Sequence, residues 1–174
     1  MRKFITAVAV LVSALLILFA AAFLILGPDR FWSQFGPADL GDVDFATLQR
    51  RASPNDALAC LPAFCAAKAD IPAPVIDKPF GDVFLAVQQA VAPEPGLEQV
   101  DADHGQGTLR FIQRSKVLGF PDTINVKVVP LADGASAVLI YSRSQIGKSD
   151  LGVNLARVKR WAEMIATQAE NDAP

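Results

Sequence analysis

The stretch TLRFIQRSKVLGFPDTINVKVVPLADGASAVLIYSRS, from Thr108 to Ser144, decides the fold. Apolar and polar residues alternate in three runs, which the turn compositions GFPD and ADG separate. Alternation with a period of two is typical of half-buried strands, and Asp133-Gly134 is the strongest hairpin signal in the stretch. We therefore predict an antiparallel meander, with a shorter run at Leu97 to Val100 as a fourth strand.

Two amphipathic helices are predicted on either side of this meander in the chain. Phe80 to Ala92 has an apolar stripe at helical spacing, and the sequence PEPG ends it. Asp150 to Ala169 has a second stripe, and Pro74-Val75-Ile76 fits an edge strand. The predicted fold class is α+β: an N-terminal transmembrane helix, then an antiparallel sheet of about four strands with two helices packed on one face.

Pairing the strands about these turns assigns each side chain to one face of the sheet. The face toward the helices is predicted to contain Leu109, Phe111, Val117, Ile124, Val126, Val128, Leu139 and Tyr141. The other face is predicted to contain Arg110, Arg114, Lys116, Asn125, Lys127, Ser142 and Ser144, with Ile112, Val129, Val138 and Ile140. In this register Arg114 lies opposite Lys127, and an anionic partner would relieve their repulsion. The alternative is that these cations pair with acidic residues from earlier in the chain.

Charge is divided along the chain. Residues 27–104 carry 5 basic and 12 acidic side chains, whereas residues 105–160 carry 9 basic and 3 acidic ones. Neither block is basic enough for a nucleic-acid surface, so no nucleic-acid partner is expected.

The N-terminal run from Phe4 to Leu26 is apolar and uncharged. As a helix it would extend about 35 Å, enough to cross a hydrocarbon core of about 30 Å. A cleaved signal peptide is the alternative, because Arg2 and Lys3 precede the run and Ala22 ends a stretch of small residues; the run continues past that point, which favours an uncleaved anchor. The positive-inside rule then predicts a single-pass protein of the cytoplasmic (inner) membrane, with the lipid bilayer as partner and the C-terminal domain in the periplasm.

The two cysteines, Cys60 and Cys65, lie in the sequence CLPAFC. His104 is the sole histidine, so no second Cys/His pair completes a metal site, and neither a metal nor a cofactor is predicted. In the periplasm a disulfide between them is the simplest assignment; two free buried thiols are the alternative.

The predicted organisation has four parts. Residues 1–27 form the anchor, and residues 28–75 form a stalk rich in proline and aspartate that contains the cysteine loop. This stalk either lies on the domain or is a partly ordered linker. Short helical turns are expected in this stalk around Phe45 to Arg50 and Asn55 to Cys60. Residues 76–169 form the α+β domain, and residues 170–174 form a flexible tail.

The sequence YSRSQIGKSDLGVN, Tyr141 to Asn154, ends like a phosphate-binding loop. Ser142 stands where that loop needs its first glycine, and the sheet is antiparallel, so ATP or GTP hydrolysis is excluded. A helix start near Lys148 still attracts anions, although capping by Ser149 and Asp150 is the competing interpretation. His104 is interpreted as a surface residue of the loop DADHGQG.

The run GFPDTINVKVVPLADGASAVLIYSRSQIGKSDLGVN, Gly119 to Asn154, resembles the signature of domain-of-unknown-function family fourteen ninety-nine. SPNDALACLPAFC, Ser53 to Cys65, is similar to the N-terminal part of the same family, so the resemblance covers roughly residues 40 to 168. It implies bacterial envelope or plastid proteins and no established activity.

The leading hypothesis is a non-enzymatic, periplasm-facing module that binds a lipid, an anionic envelope component or a protein. A bound lipid would need an open space between the last helix and the sheet. The alternative is an envelope hydrolase with a site near Ser144, Lys148 and Asp150. The candidate ligand-binding residues are Arg143, Ser144, Lys148, Ser149, Asp150, Asn154, Arg114 and Lys127.

Overall fold

The structure, a computed structural model, describes residues 1–171. It contains two compact units, Met1–Pro37 and a second unit that begins at Ala38. The predicted flexible tail lies outside the described residues from 172 onward, and residues 170 and 171 still belong to the last helix.

The first unit contains helix α1, Arg2–Trp32, followed by a single 3-10 turn at Ser33–Phe35. This N-terminal helix is the one helix within residues 1–171 that is long and apolar enough to cross a membrane. Gly27 breaks it with a φ of 75°, just before a proline. Beyond the break, the Phe31 ring lies 5.0 Å from that of Phe19 and 5.4 Å from that of Phe23. The chain thus has one candidate membrane anchor, as predicted, with aromatic rings clustered within its own unit.

The second unit is a six-stranded antiparallel sheet with two helices. Its strands are β1 Asp56–Ala59, β2 Val75–Ile76, β3 Leu97–Asp103, β4 Thr108–Arg114, β5 Pro121–Pro130 and β6 Ser136–Ser144. Its helices are α2 Phe80–Val91 and α3 Val153–Asn171. The strand order is β1-β6-β5-β4-β3, and β2 also pairs with β6. The α+β class is confirmed, with six strands rather than about four.

Both helices pack on one face of the sheet. Trp161 and Ile165 of α3 are fully buried, and the Trp161 ring meets that of Phe111 edge-on at 5.5 Å. Val83 and Val87 of α2 are buried in the same cluster. Side chains therefore fill the space between α3 and the sheet, which is the space that a bound lipid would need.

The chain from Ala38 to β2 covers the opposite face of the sheet. Phe45 and Leu48 are buried in one cluster with Leu139 and Tyr141 of β6. The predicted disulfide between Cys60 and Cys65 is confirmed, and it belongs to this cover. Residues 38–75 are therefore an integral part of the second unit, in which β1 belongs to the sheet and the segments on either side of it form the cover.

The predicted helical turn around Asn55 to Cys60 is wrong, because this segment forms β1. Ala57 pairs with Ser142, and Leu58 pairs with Tyr141. Alanine and leucine have high helix propensity, but propensity is a small term per residue, and pairing with the edge of β6 overrides that local preference.

The predicted register of β6 is wrong by one residue. Val128 pairs with Val138 rather than with Leu139, because five residues, Leu131 to Ala135, connect β5 to β6 in place of a two-residue hairpin. A slip of one residue moves every side chain of a strand to the other face. Val138, Ile140, Ser142 and Ser144 therefore face the helices, whereas Leu139 and Tyr141 face the covering layer.

The predicted opposition of Arg114 and Lys127 is also wrong. Arg114 pairs with Pro121, and Lys127 pairs with Thr108, because β4 ends at Arg114 and a turn from Ser115 to Phe120 follows. The shift is an even number of residues, so the faces assigned to β4 and β5 are correct. Val117 and Lys116, predicted within a strand, lie exposed in this turn.

Candidate functional site

The start of α3 is capped by the side chain of Asp150. Its carboxylate accepts hydrogen bonds from the backbone amides of Gly152 at 2.9 Å and Asn154 at 2.8 Å, while Ser149 Oγ accepts one from Leu151. Burial raises the pKa of Asp150, but the bonds from the amides of Asn154 and Gly152 outweigh it and hold the pKa below its usual value. Asp150 is thus the anion that this helix start binds, as the capping interpretation predicted.

Behind this cap, Arg157 is the centre of a buried polar network. The residue is 6% exposed, and its guanidinium donates four hydrogen bonds of 2.6 to 2.8 Å. The acceptors are Gln113 Oε1, Ser142 Oγ, Asn154 Oδ1 and Asp122 Oδ2. The network therefore joins α3 to the adjoining ends of β4, β5 and β6.

Asn154 extends the network to the covering layer. Its Nδ2 donates to Ser144 Oγ at 2.9 Å and to the carbonyl of Asn55 at 3.1 Å, and its Oδ1 accepts from Ser142 Oγ at 2.5 Å. Asn55 Nδ2 in turn donates to the carbonyl of Gly147 at 2.8 Å. These bonds hold the β6–α3 loop, residues 145–152, against the start of β1.

The sequence analysis missed Arg157, Asn55, Gln113 and Asp122. One signal was available for the first of them: Asn154, Arg157 and Trp161 recur at helical spacing on the buried face of α3. A polar residue on an apolar face must find buried partners, which predicts a network there.

The basic face of the sheet is covered rather than open. Arg110 bonds to the carboxylates of Asp39, at 3.0 Å, and Asp42. Arg143 donates to the carbonyls of Leu40 and Gly41 at 2.9 and 2.8 Å, and burial lowers its pKa. The structure thus shows the alternative pairing, with acidic residues from earlier in the chain.

The remaining predicted site residues are dispersed. Arg114 forms an ion pair with Glu98 at 3.0 Å, and Lys127 is half-buried at the middle of β5. His104, in the loop after β3, lies against the rings of Phe80 and Phe84 at 5.3 and 5.0 Å. The geometry joins none of these residues to Ser144.

Two of the three residues of the hydrolase alternative form hydrogen bonds that hold the fold together. Ser144 Oγ is bound to Asn154, and the Asp150 carboxylate is bound to backbone amides. Lys148 lies exposed in the loop between them. Nor does any group of three or more His, Cys, Asp or Glu side chains within residues 1–171 have an arrangement that could hold a metal ion.

A cleft of about 300 Å³ opens beside the capped helix start. The β4–β5 turn, residues 115–120, contributes to one wall and the β6–α3 loop to the other. The apolar part of its lining consists of Phe120, Pro121, Ile146, Leu151 and Val153, and the polar part of Ser115, Asp122, Ser144, Ser149 and Asp150. Of the predicted site residues, Ser144, Ser149 and Asp150 line this cleft.

Leu151 is the most unusual residue of the cleft. Its side chain is 94% exposed, and its φ of 55° is the only positive value among the non-glycine residues described. A leucine in the left-handed region is strained, and an exposed apolar side chain gains nothing from folding to offset the strain. Val117 on the facing turn is 85% exposed, and Val153 is 50% exposed. These features make the cleft the candidate functional site.

Comparisons with known proteins identify the family. A profile of the family described as "Protein of unknown function (DUF1499)" matches residues 48–165. No curated protein matches the chain. Among solved structures, the chain is similar to protein MLL2253 from Mesorhizobium loti, at 9% sequence identity and a TM-score of 0.42 over 57% of this chain and 94% of that one. It is also similar to protein CV1439 from Chromobacterium violaceum, at 15% identity and a TM-score of 0.38 over 57% of this chain and 93% of that one. Because the profile matches more than half of the chain, the protein belongs to the family described as Protein of unknown function (DUF1499).

Proposed function

We propose that this protein is a single-pass membrane protein whose second unit is a non-enzymatic binding module on the periplasmic side of the cytoplasmic membrane. Its binding site is the cleft at the start of α3, and its ligand is an apolar group. The observation that carries this proposal is the cleft itself, with its exposed, strained Leu151 on a loop that a buried network holds in place.

The periplasmic location rests on two features. Arg2 and Lys3 precede the apolar helix, and such residues remain in the cytoplasm by the positive-inside rule. The disulfide between Cys60 and Cys65 is typical of proteins in oxidising compartments. Both features support a second unit that lies outside the cytoplasm.

The chemistry of the lining favours an apolar ligand over an anionic one. Asp150 already occupies the helix start, and Asp122 adds a second carboxylate to the lining. The arginines that could have bound an anion, Arg110, Arg143 and Arg157, have partners within the fold. An anionic ligand would therefore meet repulsion in the cleft, whereas an apolar group would cover exposed carbon atoms.

A photocrosslinking residue placed at Leu151 in the full-length protein in cells tests the site. We expect covalent adducts at this position, and few from the same residue at Leu85, which is 54% exposed on α2. Ile146→Asp should abolish the adducts, because it places a charge in the apolar lining while the loop stays anchored through Gly147. Equal yields at both positions would contradict the proposed site.

The thiols test the location separately. In intact cells, Cys60 and Cys65 should not react with a maleimide reagent unless a reductant is added first, because the disulfide protects both. Reaction without a reductant would contradict a periplasmic location. It would not bear on the cleft, which the crosslinking experiment tests separately.

A further inference from the structure

We propose that the apolar rim of this cleft docks on the surface of an anionic lipid bilayer, whose headgroups stay outside the cleft that Asp122 and Asp150 line. Val117, Leu151 and Val153 enter the interfacial region, and Lys116 and Lys148 contact the headgroups. This inference rests on the proposed function and names the chemistry of its partner.

The exposed apolar residues come from two separate loops that meet at one end of the sheet. Val117 is in the β4–β5 turn, and Leu151 is in the β6–α3 loop; both loops line the cleft. Asp122, at the start of β5, pairs with Ser144, at the end of β6, so the two loops begin from adjacent positions. The tips of the two loops therefore present exposed aliphatic side chains at the same end of the sheet, and grouped apolar side chains of this kind mark interaction sites.

The charges around these tips complement an anionic surface. Lys116 precedes Val117, and Lys148 lies three residues before Leu151; both lysines are exposed. The carboxylates nearest to them are engaged inside the fold, since Asp150 caps α3 and Asp122 is buried against Arg157. Each tip therefore has an exposed lysine close to its apolar residue in the sequence, and lysines next to apolar residues favour anionic headgroups.

The chain that follows the membrane anchor enters the second unit at this same end of the sheet. Thr123 Oγ1 donates a hydrogen bond to the carbonyl of Ala38 at 3.0 Å and accepts one from the amide of Leu40 at 3.0 Å. Thr123 is next to Asp122, at the base of both loops. The first residues of the second unit therefore lie at the same end of the sheet as the tips.

The form of the surface favours a fluid partner. A protein partner is usually anchored by aromatic residues and arginine in a well-packed, desolvated centre. Here the exposed tips carry aliphatic side chains with flexible lysines, which suit an interface that adapts to them.

Fluorescence quenching in lipid nanodiscs tests this inference in the full-length protein. Leu151→Cys and Val117→Cys variants can be labelled selectively with an environment-sensitive dye, because the native cysteines form a disulfide. Leu85→Cys is the matched control, an exposed apolar residue on α2. We expect nitroxide-labelled lipids to quench the dye at positions 151 and 117 several-fold more than at position 85, and phosphatidylglycerol to increase that quenching.

The lysines provide the second arm of the test. Replacing either Lys116 or Lys148 with glutamine should weaken the phosphatidylglycerol-dependent docking about fivefold, and high salt should have a similar effect. Both lysines are exposed, so these variants should fold normally.

Two results would overturn the inference: quenching at position 151 no greater than at position 85, or quenching that is the same without phosphatidylglycerol. Failure of this inference is distinguishable from failure of the proposed function. If the photocrosslinker at Leu151 yields protein adducts while the dye there is not quenched, the cleft binds a protein and only the bilayer is wrong. If neither signal exceeds the control, both proposals fail.

Discussion

Replacing Arg157 with methionine should destabilise the second unit far more than any surface change. The variant removes the guanidinium of a residue that is 6% exposed and leaves the carboxylate of Asp122, a residue that is 7% exposed, without its cation. Breaking a buried ion pair in this way costs about 3–5 kcal/mol. At about 3 °C per kcal/mol for a domain of this size, the unfolding temperature should fall by roughly 10–15 °C.

Near-ultraviolet circular dichroism of the full-length protein in detergent can follow this unfolding, because Trp161 lies in the core one turn from Arg157. The matched control is Arg160→Met on the same helix, where the arginine is half-exposed in its pair with Glu94. Such a pair contributes at most about 1 kcal/mol.

A double variant, Arg157→Met with Asp122→Leu, should recover part of the loss, because neither charge is then left unpaired in the interior. The reasoning would be refuted if Arg157→Met and Arg160→Met lowered the unfolding temperature equally. It would also be refuted if the double variant lost the full sum of the two single losses.

Three further predictions concern the disulfide and the α3 loop. Joint replacement of Cys60 and Cys65 with serine should lower the free energy of unfolding by about 2 kcal/mol, since the closed loop is short. In urea titrations a reductant should destabilise only the wild type. Equal urea midpoints for the wild type and the variant would contradict this. Asp150→Asn should cost about 0.5–1 kcal/mol at pH 7. The pKa of Asp150 is held below its usual 3.8, so the stabilisation is complete above pH 3.8 and is lost as the pH falls through the lower pKa of the folded protein. The urea midpoints of the wild type and the variant should therefore converge at acidic pH. A difference that stays constant with pH would argue against the cap. Leu151→Gly should raise the free energy of unfolding by up to about 1 kcal/mol, because glycine adopts a φ of 55° without strain; a lower melting temperature would show that Leu151 packs within the fold.

The elements that the sequence predicted correctly are those whose signal is local. The stripe from Phe80 to Ala92 became α2, Phe80–Val91, and the last two alternating runs of the meander became β5 and β6. Alternation and helical spacing arise from residues a few positions apart, so they can be read from one sequence.

What the sequence did not reveal depends on contacts between distant residues. The register of β6 is set by the number of residues in its loop, and β1 exists because the edge of β6 is available to pair with it. Arg157 and Asp122 are 35 residues apart, and no local pattern connects them. The partners of Arg110 lie 71 and 68 residues away, in a segment that was interpreted as a stalk.

That segment gives the second unit a directional mechanical weakness. Residues 38–42 attach to the central strands β4, β5 and β6 through Arg110, Thr123, Asn125 and Arg143. A force that pulls on the chain at Ala38 would act on these bonds in their order along the chain, beginning with the bond between Ala38 and Thr123. Tension applied at Ala38 would therefore act on the bonds that cover the arginines of the basic face before it reached the core around Trp161.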